Sequence, residues 1–146
     1  MINPVEKIAI LGLGLMGGSL AASPSGHVIG YARRKDTLNA ALAQDLIDEA
    51  AASPEEAVKD ADIVVICTPI LTIPPMLEQI RDHLKPGAIV TDVGSTKQVV
   101  QDRADALLVN TDARFVGSHP MCGSDQVGIE SIIPHLYTVP GSWLWM

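Results

Sequence analysis

The sequence predicts an α/β fold built on a doubly wound parallel sheet, and three observations carry this prediction. Short apolar runs alternate with helix-compatible segments along the chain, as strands and crossover helices do in a parallel sheet. Fifteen residues separate Leu11 from His27, and a parallel crossover needs about a dozen. Aromatic residues make up only 3% of the chain, so the core consists mainly of Ala, Val, Ile and Leu, as is usual for buried parallel strands.

The first half of the chain contains two predicted strands and two helices. Residues 7–11 (KIAIL) form an apolar run that ends at glycines, as a buried first strand does. A helix over residues 15–22 stops at Pro24, which cannot lie deep inside a helix. Residues 27–31 (HVIGY) are predicted as the second strand, and a second helix is predicted from about Thr37 to Gln44.

The next helix has a strong start signal. Ser53 can cap it, Pro54 suits the first helical position, and Glu56 completes a capping box. Residues 62–67 (DIVVIC) then predict another buried strand.

The second half of the chain repeats this alternation. Pro74 and Pro75 open a helix whose apolar residues recur at helical spacing. A turn at residues 85–87 leads into a predicted strand over residues 88–93 (AIVTDV). Ser95 can cap a helix that ends at about Leu107. A last short strand is predicted to begin at residues 115–116, before the segment GSHP.

The composition excludes several classes of function. The formal net charge of −7 argues against a nucleic-acid partner, because phosphate binding needs a basic face. The two cysteines, Cys67 and Cys122, match no metal-ligand spacing. The first residues lack the pattern of a signal peptide, and no apolar run has the length of a membrane span. We therefore expect a cytoplasmic protein that uses no metal and binds neither membranes nor nucleic acid.

A glycine-rich loop follows the first predicted strand. The loop residues are Gly12, Leu13, Gly14, Leu15, Met16 and Gly17. A Gly-x-Gly-x-x-Gly sequence between a strand and a helix is the fingerprint of the Rossmann dinucleotide site. The first glycine permits a tight turn, the second lets the backbone approach a pyrophosphate, and the third lets helix and strand pack closely. We predict that these six residues bind the pyrophosphate of a dinucleotide, aided by the N–H groups at the helix start.

The end of the second predicted strand indicates which dinucleotide binds. An NAD site has an Asp or Glu about twenty residues after the first glycine, whereas this chain has Ala32 followed by Arg33 and Arg34. A carboxylate would repel the 2′-phosphate of NADP, and a guanidinium binds it through two charge-assisted hydrogen bonds. We therefore predict NADP in preference to NAD. Asp36 keeps NAD open, because a shifted loop would present its carboxylate to the ribose.

Three later segments point to a family. They are residues 67–70 (CTPI), 91–97 (TDVGSTK) and 117–124 (GSHPMCGS). In this order behind GLGLMGGSL, they resemble the N-terminal nucleotide-binding domain of the prephenate and arogenate dehydrogenases of tyrosine biosynthesis. The resemblance runs from about Lys7 to Tyr137. The DVGSTK and GSHPM-x-G pair is its specific part, because other dehydrogenases share only the glycine loop.

The resemblance implies NAD- or NADP-dependent oxidative decarboxylation of prephenate or arogenate. His119 matches the family's catalytic histidine, which accepts the proton of the substrate's ring hydroxyl as hydride leaves. Ser95 matches the serine that orients this histidine and the substrate beside the nicotinamide. Thr68 and Pro69 match a loop that passes along the cofactor's ribose and nicotinamide. An imidazole is also chemically suited to this proton transfer, since it titrates near neutral pH.

The chain departs from the family in two places. Its first crossover is shorter, because residues 23–25 (SPS) replace the last turn of the helix. The family also has a helical C-terminal domain, absent from these 146 residues, that forms the homodimer and holds the substrate's carboxylates. We therefore expect one Rossmann domain over residues 1–146, truncated at its C-terminal edge. We expect it to bind NADP weakly and to turn over prephenate or arogenate poorly or not at all.

Two other functions stay open at this point. One is a non-catalytic module that binds NADP without turnover. The other is an oxidoreductase similar to the 3-hydroxy acid dehydrogenases, which share the start of the glycine loop. That group uses a lysine in a later helical domain and lacks the His-Pro-Met segment, so His119 argues against it.

Overall fold

A six-stranded parallel sheet forms the centre of the protein. The computed structural model describes residues 5–22, 26–94, 97–120 and 143–145. The strands of the sheet are β1 (Lys7–Leu11), β2 (His27–Tyr31), β3 (Glu49–Ala50), β4 (Ile63–Ile66), β5 (Ile89–Asp92) and β6 (Arg114–Phe115). Their spatial order is β3-β2-β1-β4-β5-β6, and every neighbouring pair is parallel. This is the strand order of a Rossmann fold, so the predicted fold class is confirmed.

Helices cover both faces of the sheet. They are α1 (Leu15–Ala21), α2 (Lys35–Ala43), α3 (Pro54–Val58), α4 (Ile73–Ile80) and α5 (Lys97–Leu108), with single 3-10 turns at Ile70–Thr72 and Arg81–His83. None of the helices in the described ranges is long and apolar enough to span a membrane.

The core has two layers because successive residues of a strand point to opposite faces. Ala9 and Leu11 of β1 lie in a buried cluster with α3, α4 and α5. Ile10, between them, lies in a second cluster with α1 and α2. The residues of α4 that enter the first cluster are Ile73, Leu77 and Ile80, which are fully buried. The helical spacing of apolar residues in the sequence of α4 therefore indicates which face of this helix is buried.

A second, two-stranded sheet contains strands that follow β6 in the chain. It consists of β7 (Ser118–Pro120) and β8 (Trp143–Trp145), which run antiparallel with His119 opposite Leu144. The predicted last strand, expected to begin at residues 115–116, is observed as β6, which begins at Arg114. The segment after it, which was not predicted as a strand, contains β7.

Strand β3 is an element of the main sheet that the sequence does not predict. It has only two residues, which pair with Ile29 and Gly30 of β2. Asp48 fixes its start, because its Oδ2 atom accepts a hydrogen bond from the N–H of Val28 at 2.8 Å. The backbone N–H of Asp48 in turn donates to the carbonyl oxygen of Val28 at 2.9 Å. A two-residue strand has no apolar alternation, so its position depends on these tertiary contacts.

The predicted cap of α3 is present with one difference. Ser53 Oγ accepts a hydrogen bond from the N–H of Glu56 at 3.1 Å, and Pro54 occupies the first turn. The Glu56 carboxylate accepts a hydrogen bond from the N–H of Ala52 at 3.2 Å, whereas in a standard capping box it would accept one from the N–H of Ser53.

Helix α2 begins at Lys35, two residues before the predicted Thr37.

The Asp62 carboxylate joins three segments at the amino-terminal edge of the sheet. Its Oδ2 atom accepts hydrogen bonds from the N–H groups of Glu6 at 2.9 Å and Lys7 at 3.0 Å. Its Oδ1 atom accepts one from Lys85 Nζ at 2.6 Å. The Lys85 hydrogen bond, followed by those from Lys7 and Glu6, lowers the pKa of Asp62 from 3.8 to about 2. The ionised carboxylate therefore stabilises the start of β1 beside β4.

Asp62→Asn is expected to lower the free energy of unfolding at neutral pH by about 1–2 kcal/mol, because these charge-assisted bonds are partly exposed to solvent. Since the folded-state pKa is depressed, the stabilisation is present above pH 3.8 and lost as the pH falls through about 2. Urea unfolding of both proteins between neutral and acid pH measures this difference. Asp112→Asn is the control, because this exposed carboxylate forms no ion pair with the described residues. If the free energies of unfolding of the wild type and Asp62→Asn differ by the same amount at acid pH as at neutral pH, the stabilising role of the ionised Asp62 carboxylate is contradicted.

Candidate functional site

A cleft of about 540 Å³ lies at the carboxyl-terminal edge of the sheet, where β1, β2 and β4 end. The strand order reverses between β1 and β4, and open α/β sheets bind their ligands at this switch point. The residues that line the cleft are Gly12, Leu13, Gly14, Tyr31, Ala32, Arg33, Arg34, Thr37, Pro54, Cys67, Thr68, Pro69, Thr72, Met76 and Gln79. The fold therefore brings the glycine loop, the Arg33–Arg34 corner and the Thr68–Pro69 loop to one site.

Gly12 begins the loop in a backbone conformation that favours glycine. Its φ is +102°, and its N–H donates to the carbonyl oxygen of Tyr31 at 2.9 Å. A Cβ atom at this position would lie 3.0 Å from the carbonyl carbon and oxygen of Cys67. The turn out of β1 is therefore tight and packed against the end of β4.

Gly14 and Gly17 have different surroundings. A Cβ atom on Gly14 would meet nothing within 4 Å, so the backbone here borders open space in the cleft. A Cβ atom on Gly17 would lie 1.8 Å from the carbonyl oxygen of Gly12, so only glycine allows α1 to pack at this distance. Leu15 and Gly17 are buried, and of the six predicted loop residues Gly12, Leu13 and Gly14 line the cleft.

The start of α1 has polar groups suited to an anion. Gly14 precedes the helix and provides no side-chain cap. The N–H groups of a first helical turn have no partners within the helix. An approach by phosphate oxygens to the backbone of Gly14 is therefore both sterically open and electrostatically favourable.

The hydroxyl of Thr68 is a polar group that a ligand in the cleft would satisfy. Its Oγ1 atom is buried and has no hydrogen-bond partner among the described residues. Its methyl group lies beside the loop, 3.2 Å from where a Cβ on Gly12 would be. Leaving a buried hydroxyl without a partner costs about 1–3 kcal/mol. The orphaned hydroxyl and the open space at Gly14 therefore fit a polar ligand such as a dinucleotide.

Cys67 borders the same cleft but is not suited to nucleophilic chemistry. Desolvation, with a smaller contribution from the negative charge of Asp92, raises the pKa of Cys67 to about 12. The thiol is thus neutral at physiological pH, and a neutral thiol is a weak nucleophile.

The basic corner is largely free of compensating charge. Arg33 and Arg34 are exposed, and Arg34 Nη2 lies 3.9 Å from Asp36 Oδ2, with both side chains at least 80% exposed. An ion pair this open is weak, so Asp36 does little to neutralise the corner. Thr37, half-buried in the first turn of α2, adds a hydroxyl to the same part of the cleft. Thr37 was not among the predicted site residues, although a hydroxyl just after a basic run at a helix start was a usable signal.

The opposite wall of the cleft comes from α3 and α4, and sequence reasoning did not identify it. Pro54 belongs to α3, and Met76 and Gln79 belong to α4. Met76 has the helical spacing of a packing residue, and no local signal separates a cleft-lining methionine from a core methionine. This wall is therefore visible only after α4 has been placed beside the β2–α2 corner.

A chain of buried hydroxyls connects β5 to β7. Thr91 Oγ1 donates to Ser118 Oγ at 3.0 Å, and Ser118 Oγ donates to the carbonyl oxygen of Asp92 at 2.6 Å. Asp92 Oδ2 accepts a hydrogen bond from the N–H of Gly94 at 2.9 Å. The backbone of His119 therefore follows directly from a residue anchored at the end of β5. Ser95 lies outside the described residues.

Comparison with known proteins is consistent with this geometry. Residues 17–139 match the family described as prephenate dehydrogenase, nucleotide-binding domain. The chain is 38% identical over 138 residues to the prephenate dehydrogenase of Bacillus subtilis (strain 168), and this match covers 90% of this chain and 37% of the relative. It is 37% identical over 134 residues to the prephenate dehydrogenase of Lactococcus lactis, and that match covers 86% of this chain and 36% of the relative.

Solved structures of similar proteins have the same fold. The crystal structure of Synechocystis arogenate dehydrogenase matches with a TM-score of 0.82 at 37% identity, over 90% of this chain and 46% of that one. Prephenate dehydrogenase from A. aeolicus, in complex with hydroxyphenyl propionate and NAD+, matches with a TM-score of 0.81 at 28% identity. That match covers 94% of this chain and 49% of the A. aeolicus chain. The chain therefore spans less than half the length of each of these relatives.

Gly17→Ala is expected to lower the free energy of unfolding by about 2–3 kcal/mol, because the loop would have to move away from the new methyl group. Gly14→Ala is the matched variant and is expected to change it by less than about 1 kcal/mol, since its φ of −79° suits alanine. The methyl group added at position 14 would instead occupy the open space in the cleft, and we expect it to weaken the binding of a dinucleotide about tenfold or more. Urea unfolding and calorimetric titration with NADP and NAD measure the two effects. A Gly14→Ala protein that binds either dinucleotide as tightly as the wild type would contradict the role of the open space.

Proposed function

The chain belongs to the prephenate dehydrogenase family, and we propose that it binds NADP and forms the cofactor half of a cytoplasmic enzyme that oxidatively decarboxylates prephenate or arogenate. The observation that carries the proposal is the cleft, where the glycine loop, the basic corner and the orphaned Thr68 hydroxyl meet at the switch point of the sheet. Residues 1–146 act in this proposal as one nucleotide-binding domain.

Three features of the cleft support NADP as the cofactor. Ala32 provides no carboxylate for a ribose 2′-hydroxyl, and Arg33 and Arg34 line the cleft beside it. Guanidinium groups bind a phosphate through paired, charge-assisted hydrogen bonds. The hydroxyl of Thr37 adds a donor in the same corner. The A. aeolicus prephenate dehydrogenase was solved in complex with NAD+. The proposal of NADP for this chain is based on its own basic corner.

The pyrophosphate is proposed to lie against Gly14. This is the loop position with open space beside its backbone, and it precedes the first turn of α1. Thr68, whose methyl group lies next to Gly12, adds a hydroxyl that has no hydrogen-bond partner among the described residues.

The reaction follows from the chemistry of the proposed residues. When bound, NADP supplies the acceptor for the hydride that leaves the ring carbon bearing the hydroxyl. His119 accepts the proton of that hydroxyl, which an imidazole does efficiently near neutral pH. The bond to the ring carboxylate breaks and carbon dioxide leaves. The bond's electrons pass through the ring, which becomes aromatic, to the ring oxygen, and that oxygen takes the proton back from His119. Ser95 orients His119 and the substrate, so the protein's main contribution is positioning.

Titration with NADP and NAD, followed by addition of prephenate or arogenate, tests the proposal. Measured on a protein that also carries the helical domain of the family, binding with turnover supports the dehydrogenase, and binding without turnover supports a non-catalytic NADP-binding module. Family membership favours the dehydrogenase over the alternative similar to 3-hydroxy acid dehydrogenases. Failure to bind either dinucleotide would overturn the proposal as a whole.

Replacement of Arg33 and Arg34 by Ala is expected to weaken NADP binding about tenfold or more and NAD binding about twofold or less, because only NADP carries the 2′-phosphate. Isothermal titration calorimetry with each cofactor gives the two ratios. Arg103→Ala is the control, since Arg103 is exposed on α5 and does not line the cleft. An equal loss of NADP and NAD affinity would exclude the 2′-phosphate assignment.

In a protein that also carries the helical domain of the family, His119→Asn is expected to lower kcat for prephenate or arogenate about 10²–10⁴-fold, because the proton acceptor is removed. NADP affinity should stay within about twofold of the wild type, since an imidazole at this position acts on the substrate and does not hold the cofactor. The rate of NADPH formation and a separate NADP titration measure the two quantities. Unchanged kcat would remove His119 from the proposed mechanism.

A further inference from the structure

A hydrogen bond between two helices lies at the wall of the cleft opposite the basic corner. Gln79 of α4 donates through its Nε2 atom to Glu55 Oε1 of α3 at 2.8 Å. Gln79 lines the cleft, whereas Glu55 is not among the lining residues. Glu55 thus holds, from outside the cleft, the orientation of an amide that borders it.

The chemistry of the pair fixes which way the amide points. An ionised carboxylate can only accept hydrogen bonds, so Gln79 must present its NH₂ group to Glu55. Hydrogen bonds from its own backbone N–H and from Gln79 lower the pKa of Glu55, so the carboxylate is ionised at neutral pH. A reversed amide would oppose two oxygen acceptors. The carbonyl oxygen Oε1, an acceptor, is therefore the end of the amide that faces away from Glu55.

The position of Gln79 corresponds to the base end of a dinucleotide. In the proposed binding mode, the pyrophosphate lies at Gly14, and the ribose 2′-phosphate lies at Arg33 and Arg34. The base attached to that ribose lies farther from the glycine loop, towards the remaining lining residues. These include Pro54 and Met76, an apolar pair suited to a flat ring, with Gln79 beside them.

We propose that Gln79 reads the exocyclic amine of the cofactor's adenine through Oε1, and that Glu55 is the positioning residue that fixes the Gln79 amide for this task. The inference rests on the proposed binding of NADP and adds a specificity determinant for its base. An adenine amine is a donor and complements Oε1. A base with a carbonyl oxygen at the same ring position presents a second acceptor to Oε1 and is disfavoured.

The test compares NADP with its hypoxanthine analogue, in which a carbonyl oxygen replaces the adenine amine. Both carry the same phosphates and the same nicotinamide, so the ratio of their dissociation constants reports on the base alone. Calorimetric titration of the 146-residue chain is expected to give tighter binding of NADP by about fivefold, as suits one hydrogen bond at an exposed site.

Three variants separate the roles of the two residues. Gln79→Met keeps the length of the side chain and is expected to bring the ratio close to one. Glu55→Lys offers a donor in place of an acceptor, so the Gln79 amide should reverse and the preference should shift towards the hypoxanthine analogue. Glu55→Gln permits either amide orientation and should give an intermediate ratio. Gln101→Met is the control, because Gln101 forms a similar 2.8 Å bond with Asp105 on α5, away from the cleft.

The outcomes distinguish this inference from the function on which it rests. Loss of the ratio in Gln79→Met and its reversal in Glu55→Lys support the inference. Wild-type binding of both compounds with equal affinity, or a ratio unchanged by Gln79→Met, overturns it and leaves NADP binding intact. Failure of the wild type to bind either compound overturns the proposed function itself. If Glu55→Lys fails to fold by circular dichroism, Glu55→Gln decides, and an unchanged ratio in that variant overturns the role of Glu55.

Discussion

The close approach of Gly17 to the carbonyl oxygen of Gly12 determines how tightly α1 packs against the end of β1 beside the cleft. Because a methyl group on Gly17 would lie 1.8 Å from that oxygen, α1 reaches this depth only with hydrogen at that position. Gly12 is in turn held against the backbone of Cys67, where a Cβ would lie 3.0 Å from two atoms. The ends of β1 and β4 therefore stay close together, and the Thr68 hydroxyl is enclosed at the base of the cleft.

The catalytic side of the proposed site depends on a different kind of interaction. Here two strands of separate sheets are connected through buried hydroxyls, from Thr91 to Ser118 and on to the carbonyl oxygen of Asp92. Hydrogen bonds in a buried setting are stronger and more directional than exposed ones. The backbone leading to His119 is consequently tied to β5, which also leads to the segment containing Ser95. Steric packing thus shapes the cofactor cleft, and directional polar contacts shape the approach to the proposed base.

Local sequence signals predicted the features that depend on local chemistry. The strand bounds of β1 and β2, the cap at Ser53 and the tight turn at Gly12 follow from apolar runs, side-chain oxygens and glycine conformation. Features that depend on distant segments were not predicted. Strand β3 exists because Asp48 binds Val28, and the second wall of the cleft exists because α4 packs opposite the basic corner. No periodicity within α4 indicates that Met76 and Gln79 border a site.

The contacts of Asp62 with Glu6, Lys7 and Lys85, here called the Asp62 junction, lie at the opposite edge of the sheet from the cleft. This separation has a consequence for how the protein can change over evolution. Substitutions around Lys85 and the start of β1 can raise or lower the lifetime of the folded chain without altering any group that lines the cleft. Substitutions at the cleft edge can alter which base or phosphate is recognised while the Asp62 junction remains intact. Adaptation to temperature or acidity and adaptation to a new cofactor are therefore largely independent paths for this fold.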